Sequence, residues 1–258
     1  KMKCLILCGG QGVIDPESHK RIPKCMIHIG NRPLIWHVMK SYSQFGINEF
    51  VLAIGYGSEI IKSYFIHNFK LMMDLEINLA SSQVNELNHI PEDNWNVKLI
   101  DTGIISRTGA RVSRCERYLR NETFLIAYSD ILANVNIDRL TEFHRKSNKT
   151  LTITGVNPKS RFGTFYFEEE SIRYEFNSKI RMKNSCINGG YMIANKSIFD
   201  YLSPLNECDL ETEIFEQLIH NNEIAIYSHE GFWHNVDTER DINYLKKLYL
   251  ENQRPWLD

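Results

Sequence analysis

The sequence lacks the features that would assign it to several large classes of protein. Its 258 residues carry 30 basic and 32 acidic side chains, a net charge of −2, and no basic stripe that would attract nucleic acid or an anionic membrane surface. No apolar run is long enough to cross a bilayer. We therefore expect a cytoplasmic protein with neither nucleic acid nor membrane as a partner.

Disulfide and metal-site patterns are also missing. The six cysteines include no Cys-x-x-Cys pair, and two of them, Cys4 and Cys8, lie in one short apolar run. No His-Glu-x-x-His sequence occurs among the nine histidines. Reduced cytoplasmic thiols are therefore expected, and neither a disulfide framework nor a zinc site is.

The chain is organised around residues 4–26, where an apolar run meets a glycine-rich turn and then a polar loop. The run predicts a strand buried on both faces, and Gly9, Gly10 and Gly12 leave room for backbone N–H groups to approach a phosphate. The turn is not a P-loop, because Gly-Lys-Ser/Thr is missing, and it is not the Gly-x-Gly-x-x-Gly of dinucleotide-binding proteins. Alone, it fits a phosphate site and a tight strand-to-helix turn equally well.

Strand and helix patterns alternate through the first half of the chain. Apolar runs at 50–54 and 97–100 predict further strands, and helical periodicity follows the turns between them, with Asn31 expected as the cap of the first helix. This order predicts a three-layer α/β fold with a mostly parallel central sheet covered by helices on both faces. The polar stretch 81–96 is expected to be a loop, an insertion or an oligomer contact.

Two features of the second half point to a ligand site. The apolar run 123–127 predicts a strand that ends in Tyr128-Ser129-Asp130, and ligands of open α/β sheets bind at the carboxyl ends of such strands. Glycines interrupt a strand pattern at 187–193, which indicates close approach by another part of the molecule. Helical patterns occur in this half at 137–146, 196–202, 209–220 and 238–250.

Several motifs occur in one order along almost the whole chain. These are Gly-Gly-x-Gly, Pro-Lys, NRPLIWHVMK, DTG…TGxR, RFG, INGG and GFWxxxDTxRD. Together they resemble the nucleoside-diphosphate-sugar pyrophosphorylases of the nucleotidyltransferase family, most closely the glucose-1-phosphate cytidylyltransferases. The resemblance implies a Rossmann-like nucleotidyltransferase fold in one domain, residues 1–258. Its nucleotide-binding half is about 1–135 and its acceptor-binding half about 136–258.

The resemblance also implies a reaction and its residues. A phosphate oxygen of a small acceptor attacks the α-phosphorus of CTP in line and releases pyrophosphate, with catalysis mainly by positioning and charge stabilisation. Lys24, Asp130 and Asp237 are the implied catalytic residues, and the two aspartates are the implied ligands of a Mg²⁺ cofactor. The implied nucleotide-binding residues are Cys8, Gly9, Gly10, Gln11, Gly12, Ser106, Arg111 and Ser129. The implied acceptor-binding residues are Lys179, Ser178, Asn188 and Gly189.

The sequence departs from the family pattern at the glycine turn. The family has Gly-x-Gly-Thr-Arg where this chain has Gly10 to Ile14, so the arginine that clamps the triphosphate is absent. Losing one such donor typically costs about 10²–10³ in rate. Lys20 or Arg21, on the same loop, is the expected substitute.

A second departure concerns the acceptor. Ser178 stands where the family has a glutamate that accepts hydrogen bonds from sugar hydroxyls, and strong discrimination depends on such polar pairing. We therefore expect an acceptor other than glucose 1-phosphate. The CTP:phosphoglutamine cytidylyltransferases of capsular phosphoramidate synthesis fit best, and their product is CDP-L-glutamine.

Three alternatives stay open. The first is a glucose-1-phosphate cytidylyltransferase. The second is a nucleotide-binding homologue that lost its catalytic activity together with the arginine, although retention of Lys24, Asp130, Lys179 and Asp237 argues against such a loss. A glycosyltransferase on a similar sheet ranks lower, because no second aspartate follows Asp130 to form Asp-x-Asp. By resemblance the chain is expected to be a homo-oligomer.

Overall fold

A seven-stranded sheet forms the centre of the protein in the computed structural model, which describes residues 2–15, 17–68, 74–87, 94–119, 123–157, 164–168, 171–175 and 185–257. The strands are β1 (Lys3–Cys8), β2 (Glu49–Ile54), β3 (Asn96–Asp101), β4 (Phe124–Tyr128), β5 (Leu151–Val156), β6 (Ile187–Ala194) and β7 (Ile224–His229). Their order across the sheet is β7-β5-β6-β4-β1-β2-β3. All neighbours pair in parallel except β6, which runs antiparallel to both β4 and β5. The predicted mostly parallel sheet is confirmed.

Helices cover both faces of the sheet, as predicted. They are α1 (Leu34–Ser43), α2 (Ser58–Ser63), α3 (Thr108–Arg114), α4 (Glu116–Leu119), α5 (Ile137–Ser147), α6 (Phe215–His220) and α7 (Glu239–Leu250). Short 3₁₀ segments span Lys24–Met26 and Lys196–Asp200, and π-helical turns span Tyr64–Asn68 and Leu210–Ile214. Among the described residues, no helix combines the length and the apolar character needed to span a membrane.

The side chains of β1 alternate between two cores. Cys4, Ile6 and Cys8 pack on the side of α1 and α7, whereas Leu5 and Leu7 pack on the side of α3 and α6. Because both faces of the strand are covered, its sequence is a continuous apolar run instead of an alternating one. The same burial holds the glycine turn after Cys8 at the carboxyl edge of the sheet.

One local prediction is wrong. Helix α1 has Pro33 in the N-cap position, so Asn31 is not its cap, and the Asn31 side chain accepts a hydrogen bond from Tyr249 Oη at 2.9 Å. The stretch 81–96, for which a loop, an insertion or an oligomer contact was expected, contains a hairpin strand: residues 83–87 pair antiparallel with residues 74–78. Most described side chains of this hairpin are exposed on both faces, so it lacks the apolar alternation from which a strand is predicted. Two further strands, Thr164–Glu168 and Ser171–Glu175, form another hairpin.

Candidate active site

The ammonium group of Lys24 lies between two carboxylates. Its Nζ is 2.9 Å from Asp130 Oδ2 and 2.9 Å from Asp237 Oδ1. Lys24 begins the 3₁₀ segment after the glycine loop, Asp130 follows β4, and Asp237 precedes α7. The three residues predicted to be catalytic are thus in direct contact at the carboxyl edge of the sheet.

A short antiparallel strand pair sets the spacing of the two aspartates. Residues 131–133, directly after Asp130, pair with residues 233–235, just before Asp237. The backbone N–H of Val236 donates to the Asp130 carbonyl at 2.8 Å, and the Asn235 amide donates to the Asp237 carboxylate. Backbone pairing therefore fixes both segments relative to each other before any ligand binds.

The environment of Lys24 keeps it charged. Burial lowers the pKa of this lysine, but the carboxylates of Asp130 and Asp237 together outweigh burial and raise the pKa above its ordinary value. The site is therefore one where a cation is stable at physiological pH.

The same two carboxylates fit a Mg²⁺ ion. Mg²⁺ prefers oxygen ligands and is commonly held by one or two carboxylates, with substrate phosphates and water completing its octahedron. Within the described ranges no group of three or more His, Cys, Asp or Glu residues is placed to hold a metal. A Mg²⁺ ion bound by Asp130 and Asp237 would therefore take its other ligands from the nucleotide and from water.

The glycine turn lies against the guanidinium group of Arg111. Arg111 is buried, and its Nη2 donates to the Gly9 carbonyl at 2.8 Å and its Nη1 to Thr102 Oγ1 at 2.7 Å. A Cβ at Gly9 would meet the guanidinium carbon at 1.8 Å. Gly12 has a φ of +74°, and a Cβ there would lie 2.5 Å from the Ile22 carbonyl. Two of the three glycines are therefore required by the geometry, and Arg111 supports the turn from below.

Ser106, which was predicted to bind the nucleotide, and Arg114 are held by contacts that the sequence did not reveal. Ser106 Oγ donates to the Thr102 carbonyl and receives a hydrogen bond from Arg114 Nη1, each at 2.5 Å. Asn206, a hundred residues further along the chain, contacts both Ser106 and Arg114. Such long-range partners leave no local pattern in the sequence.

Cys8 and Ser129 meet beneath the turn. Burial raises the pKa of the Cys8 thiol well above its usual range, and the neighbouring Cys25 raises it further, whereas Ser129 lowers it. Cys8 is therefore a neutral thiol packed under the turn, which does not favour a role as nucleophile.

The hairpin after the turn brings Arg21 to the glycines. Residues 13–14 pair with residues 21–22, and Arg21 Nη1 lies 3.4 Å from the carbonyl oxygens of Gln11 and Gly12. The neighbouring Lys20 is exposed, and its carbonyl accepts from the Asp15 N–H. Of the two expected substitutes for the missing arginine, Arg21 is the one whose charged group contacts the turn.

On the other side of Asp130, Asn188 and Gly189 line the end of β6. Asn188 Nδ2 lies 3.5 Å from Tyr128 Oη, and its Oδ1 accepts from the Gly190 N–H at 3.0 Å. Trp233 Nε1 donates to the Gly189 carbonyl at 2.9 Å. The predicted acceptor residues Ser178 and Lys179 lie outside the described residues.

Tyr128 and Glu211 are candidate site residues that were not predicted from the sequence. The Tyr128 hydroxyl donates to one Glu211 oxygen, and the Thr108 hydroxyl donates to the other at 3.2 Å. Burial raises the pKa of Tyr128 well above its usual range, and the nearby Glu211 carboxylate raises it further. Glu211 therefore accepts hydrogen bonds both from Thr108 in α3 and from Tyr128, which lies next to Asn188.

Residues 3–252 match the family described as nucleotidyl transferase. The chain belongs to that family. This nucleotidyl transferase is 34% identical over 255 residues to a probable glucose-1-phosphate cytidylyltransferase of Bacillus subtilis strain 168, with 99% of each chain covered. It is 36% identical over 256 residues to the glucose-1-phosphate cytidylyltransferase of Salmonella typhi, covering 99% of this chain and 98% of that protein. The expected family resemblance is confirmed.

Solved structures agree with the fold of the nucleotidyl transferase. The UTP-bound UGPase of Acinetobacter baumannii superposes with a TM-score of 0.70 at 17% identity, and the match covers 96% of this chain and 93% of that one. At this identity the likeness establishes the fold, and the residues that choose a substrate are a separate question.

Proposed function

We propose that the protein is a Mg²⁺-dependent cytidylyltransferase, which transfers CMP from CTP to the phosphate of a small acceptor and releases pyrophosphate. The observation that carries this proposal is the contact of Lys24 with both Asp130 and Asp237 beside the glycine turn. Similarity to two proteins named as glucose-1-phosphate cytidylyltransferases supports CTP as the nucleotide. In this proposal residues 1–135 form the nucleotide-binding half and residues 136–258 the acceptor-binding half of one domain.

In the proposed reaction, an acceptor phosphate oxygen forms a bond to the α-phosphorus as the bond to the leaving pyrophosphate breaks. The electron pair of that bond leaves with the pyrophosphate, so negative charge builds up beside Lys24 and Arg21, which stabilise it. A Mg²⁺ held by Asp130 and Asp237 would supply Lewis-acid stabilisation of the phosphate oxygens. The chain's own residues hold the two reactants in line and need no covalent intermediate.

We assign the nucleotide base to the region of Ser106 and Arg111, which are fixed by the contacts described above. Gly9 to Gly12 would lie along the ribose and phosphates. The Arg111 guanidinium already donates hydrogen bonds to the Gly9 carbonyl and to Thr102 Oγ1. We therefore propose that Arg111 shapes the base site in addition to contacting the base.

We propose a phosphorylated glutamine as the acceptor. Support comes from Ser178, which replaces the family's sugar-binding glutamate, and from the exposed carboxylate of Glu211 beside Asn188 and Tyr128, which suits an acceptor that carries an amino group. The second candidate acceptor is glucose 1-phosphate, which is favoured by the names of the relatives at 34% and 36% identity.

Pyrophosphate release from CTP and Mg²⁺ tests these proposals when phosphoglutamine, glucose 1-phosphate and other small phosphates are supplied in parallel. Turnover with phosphoglutamine alone supports the amino-acid acceptor, and turnover with glucose 1-phosphate overturns it in favour of the sugar. Binding of CTP without turnover across the panel overturns the enzymatic proposal and leaves a nucleotide-binding homologue. The S178E variant adds a check, because a glutamate at this position should raise activity with the sugar phosphate relative to phosphoglutamine.

We also propose that this cytoplasmic enzyme is a homo-oligomer. The hairpin of residues 74–87 exposes four large apolar side chains, Ile77, Leu79, Val84 and Leu87, and Leu79 is 88% exposed. Light scattering on the wild type and on L79D tests this. A wild-type mass above one chain that falls in L79D supports the hairpin as the contact, and a monomeric wild type overturns the proposal.

A further inference from the structure

Asp241 is a buried carboxylate close to the site but outside it. Only 3% of the residue is exposed, and it lies in the first turn of α7, four residues after Asp237. Its Oδ2 accepts three hydrogen bonds: from Thr238 N and Thr238 Oγ1, each at 2.8 Å, and from Asp237 N at 3.1 Å. One buried oxygen thus accepts from the backbone N–H groups of Asp237 and Thr238 and from the Thr238 hydroxyl.

Helix capping explains only part of this arrangement. Thr238 is the N-cap of α7 and Asp241 is its N3 residue, and the two form a capping box. The box accounts for the bonds to Thr238, but the N–H of Asp237 lies one residue outside the helix. The bond from that N–H to Asp241 fixes the backbone from which the Asp237 carboxylate extends toward Lys24.

The other oxygen of Asp241 faces the strand pair behind Asp130. Asp241 Oδ1 lies 3.4 Å from His234 Nε2, and His234 is paired in register with Leu132, two residues after Asp130. The His234 ring also packs against Tyr244 of α7, with their centroids 4.8 Å apart. A single buried side chain therefore contacts the backbone of Asp237 and also His234, whose strand pairs with the residues that follow Asp130.

We infer that Asp241 is a positioning residue, which holds the Asp237 carboxylate at the distance from Asp130 that lets both bind one cation. The activity test of this inference, pyrophosphate release, rests on the proposed function. The metal-binding test does not depend on that function. Groups that orient metal ligands commonly change metal affinity by roughly 10–100-fold when they are replaced.

The test compares D241A and D241N with T238A in the full-length protein. T238A removes the cap hydroxyl and leaves the bond from Asp237 N to Asp241, so it is the matched control for loss of capping. Mn²⁺ binding in the presence of CTP is followed by electron paramagnetic resonance, and thermal unfolding and pyrophosphate release at graded Mg²⁺ are measured on the same samples.

We expect the Mn²⁺ concentration at half-saturation to rise about 10-fold or more in D241A and less in D241N, whose amide oxygen still accepts hydrogen bonds, with T238A close to the wild type. Equal Mn²⁺ affinities in D241A and T238A would overturn the inference and reduce Asp241 to a helix cap. If D241A does not fold, the comparison of D241N with T238A decides in the same way. A wild type that binds Mn²⁺ and CTP but releases no pyrophosphate refutes the proposed function alone.

Discussion

Lys24 Nζ and Asp237 Oδ1 lie 2.9 Å apart although 213 residues separate them in the sequence. The same Nζ lies 2.9 Å from Asp130 Oδ2, so the lysine occupies the space between two carboxylates that are suited to a divalent ion. A metal ion that binds both aspartates must therefore compete with this ammonium group. In the proposed reaction Lys24 would then face the phosphates of the nucleotide.

Replacement of Lys24 by methionine should lower turnover by about 10²–10³, because one preorganised positive charge is lost. The free energy of unfolding should also fall, since two facing carboxylates lose their shared cation. Mg²⁺ should raise the Tm of K24M more than that of the wild type, because the ion replaces the missing charge in the folded state. Calorimetry with and without Mg²⁺ measures this.

K146M is the control for general loss of a lysine. Lys146 is 75% exposed and pairs with Glu142 on the surface of α5. Equal Mg²⁺ shifts in K24M and K146M would contradict the shared-cation interpretation.

R21A should lose about 10²–10³ in turnover if Arg21 replaces the arginine that the family has in the glycine turn. K20A should lose less, because only Arg21 has its charged group 3.4 Å from the Gln11 and Gly12 carbonyls. R21K keeps the charge but loses the fork geometry and should fall between wild type and R21A. Pyrophosphate release at saturating CTP measures all three, and a larger loss in K20A than in R21A would reverse the assignment.

Y128F and E211Q should raise the KM for the acceptor and leave the KM for CTP unchanged. Y128F removes the hydrogen bond to the Glu211 carboxylate, and E211Q removes the charge of that acceptor. Hydrogen bonds to charged groups contribute roughly 1.5–3 kcal/mol, so the expected rise is about 10-fold or more. Y201F is the matched control, because Tyr201 Oη contacts Asn221 away from the site. A rise in the KM for CTP instead would assign Tyr128 and Glu211 to the nucleotide side.

G9A should destabilise the protein by about 1–3 kcal/mol, because a Cβ there overlaps the buried guanidinium of Arg111. A Cβ at Gly10 meets nothing within 4 Å, so G10A should change the free energy of unfolding by no more than about 0.5 kcal/mol. Urea unfolding of both variants makes the comparison. Equal losses would show that the contact at Gly9 is not what limits side-chain size in the turn.

His37 should make stability fall on acidification. Burial lowers its pKa to about 4, from an ordinary value of 6.5. Nε2 donates to the Ile29 carbonyl at 2.8 Å and Nδ1 accepts from Trp256 Nε1 at 3.3 Å, so the neutral ring is the one that fits. The unfolded chain takes up the proton first, so the contribution of His37 is complete above pH 6.5 and is lost toward pH 4, about 3 kcal/mol in all.

Urea unfolding of the wild type and H37Q between pH 7 and pH 4 tests this prediction. The glutamine variant cannot take up the proton, so its stability should fall less over this range. Parallel pH profiles for the two proteins would contradict a neutral buried His37.

The parts of the site that follow from local pattern were predictable from sequence. An apolar run followed by glycines indicates a buried strand and a tight turn, and an aspartate at the end of such a run indicates the carboxyl edge of the sheet. The placement of Gly9, Gly12 and Asp130 agrees with those patterns. The contact between Lys24 and Asp237 was accessible only through the family resemblance, because nothing local connects residues so far apart.

The rest depends on tertiary contacts that periodicity does not encode. A strand buried on both faces has a continuous apolar pattern whichever way it runs. The sequence therefore does not reveal that β6 runs antiparallel to β4 and β5. Glu211 lies within the helical pattern predicted at 209–220, and only the fold brings its carboxylate to Tyr128. Asp241 matched a motif, but its bond to the Asp237 N–H appears only in three dimensions.

The pairing of residues 131–133 with residues 233–235 has a consequence for how the chain folds. During synthesis the glycine turn, Lys24 and Asp130 leave the ribosome long before the strand that brings Asp237. The centre therefore closes late, through contacts of 106 and 213 residues in sequence separation, and contacts of such long range slow folding. A nascent chain that ends before this strand has all seven strands of the central sheet but lacks Asp237, so the proposed centre cannot form until this strand has been made.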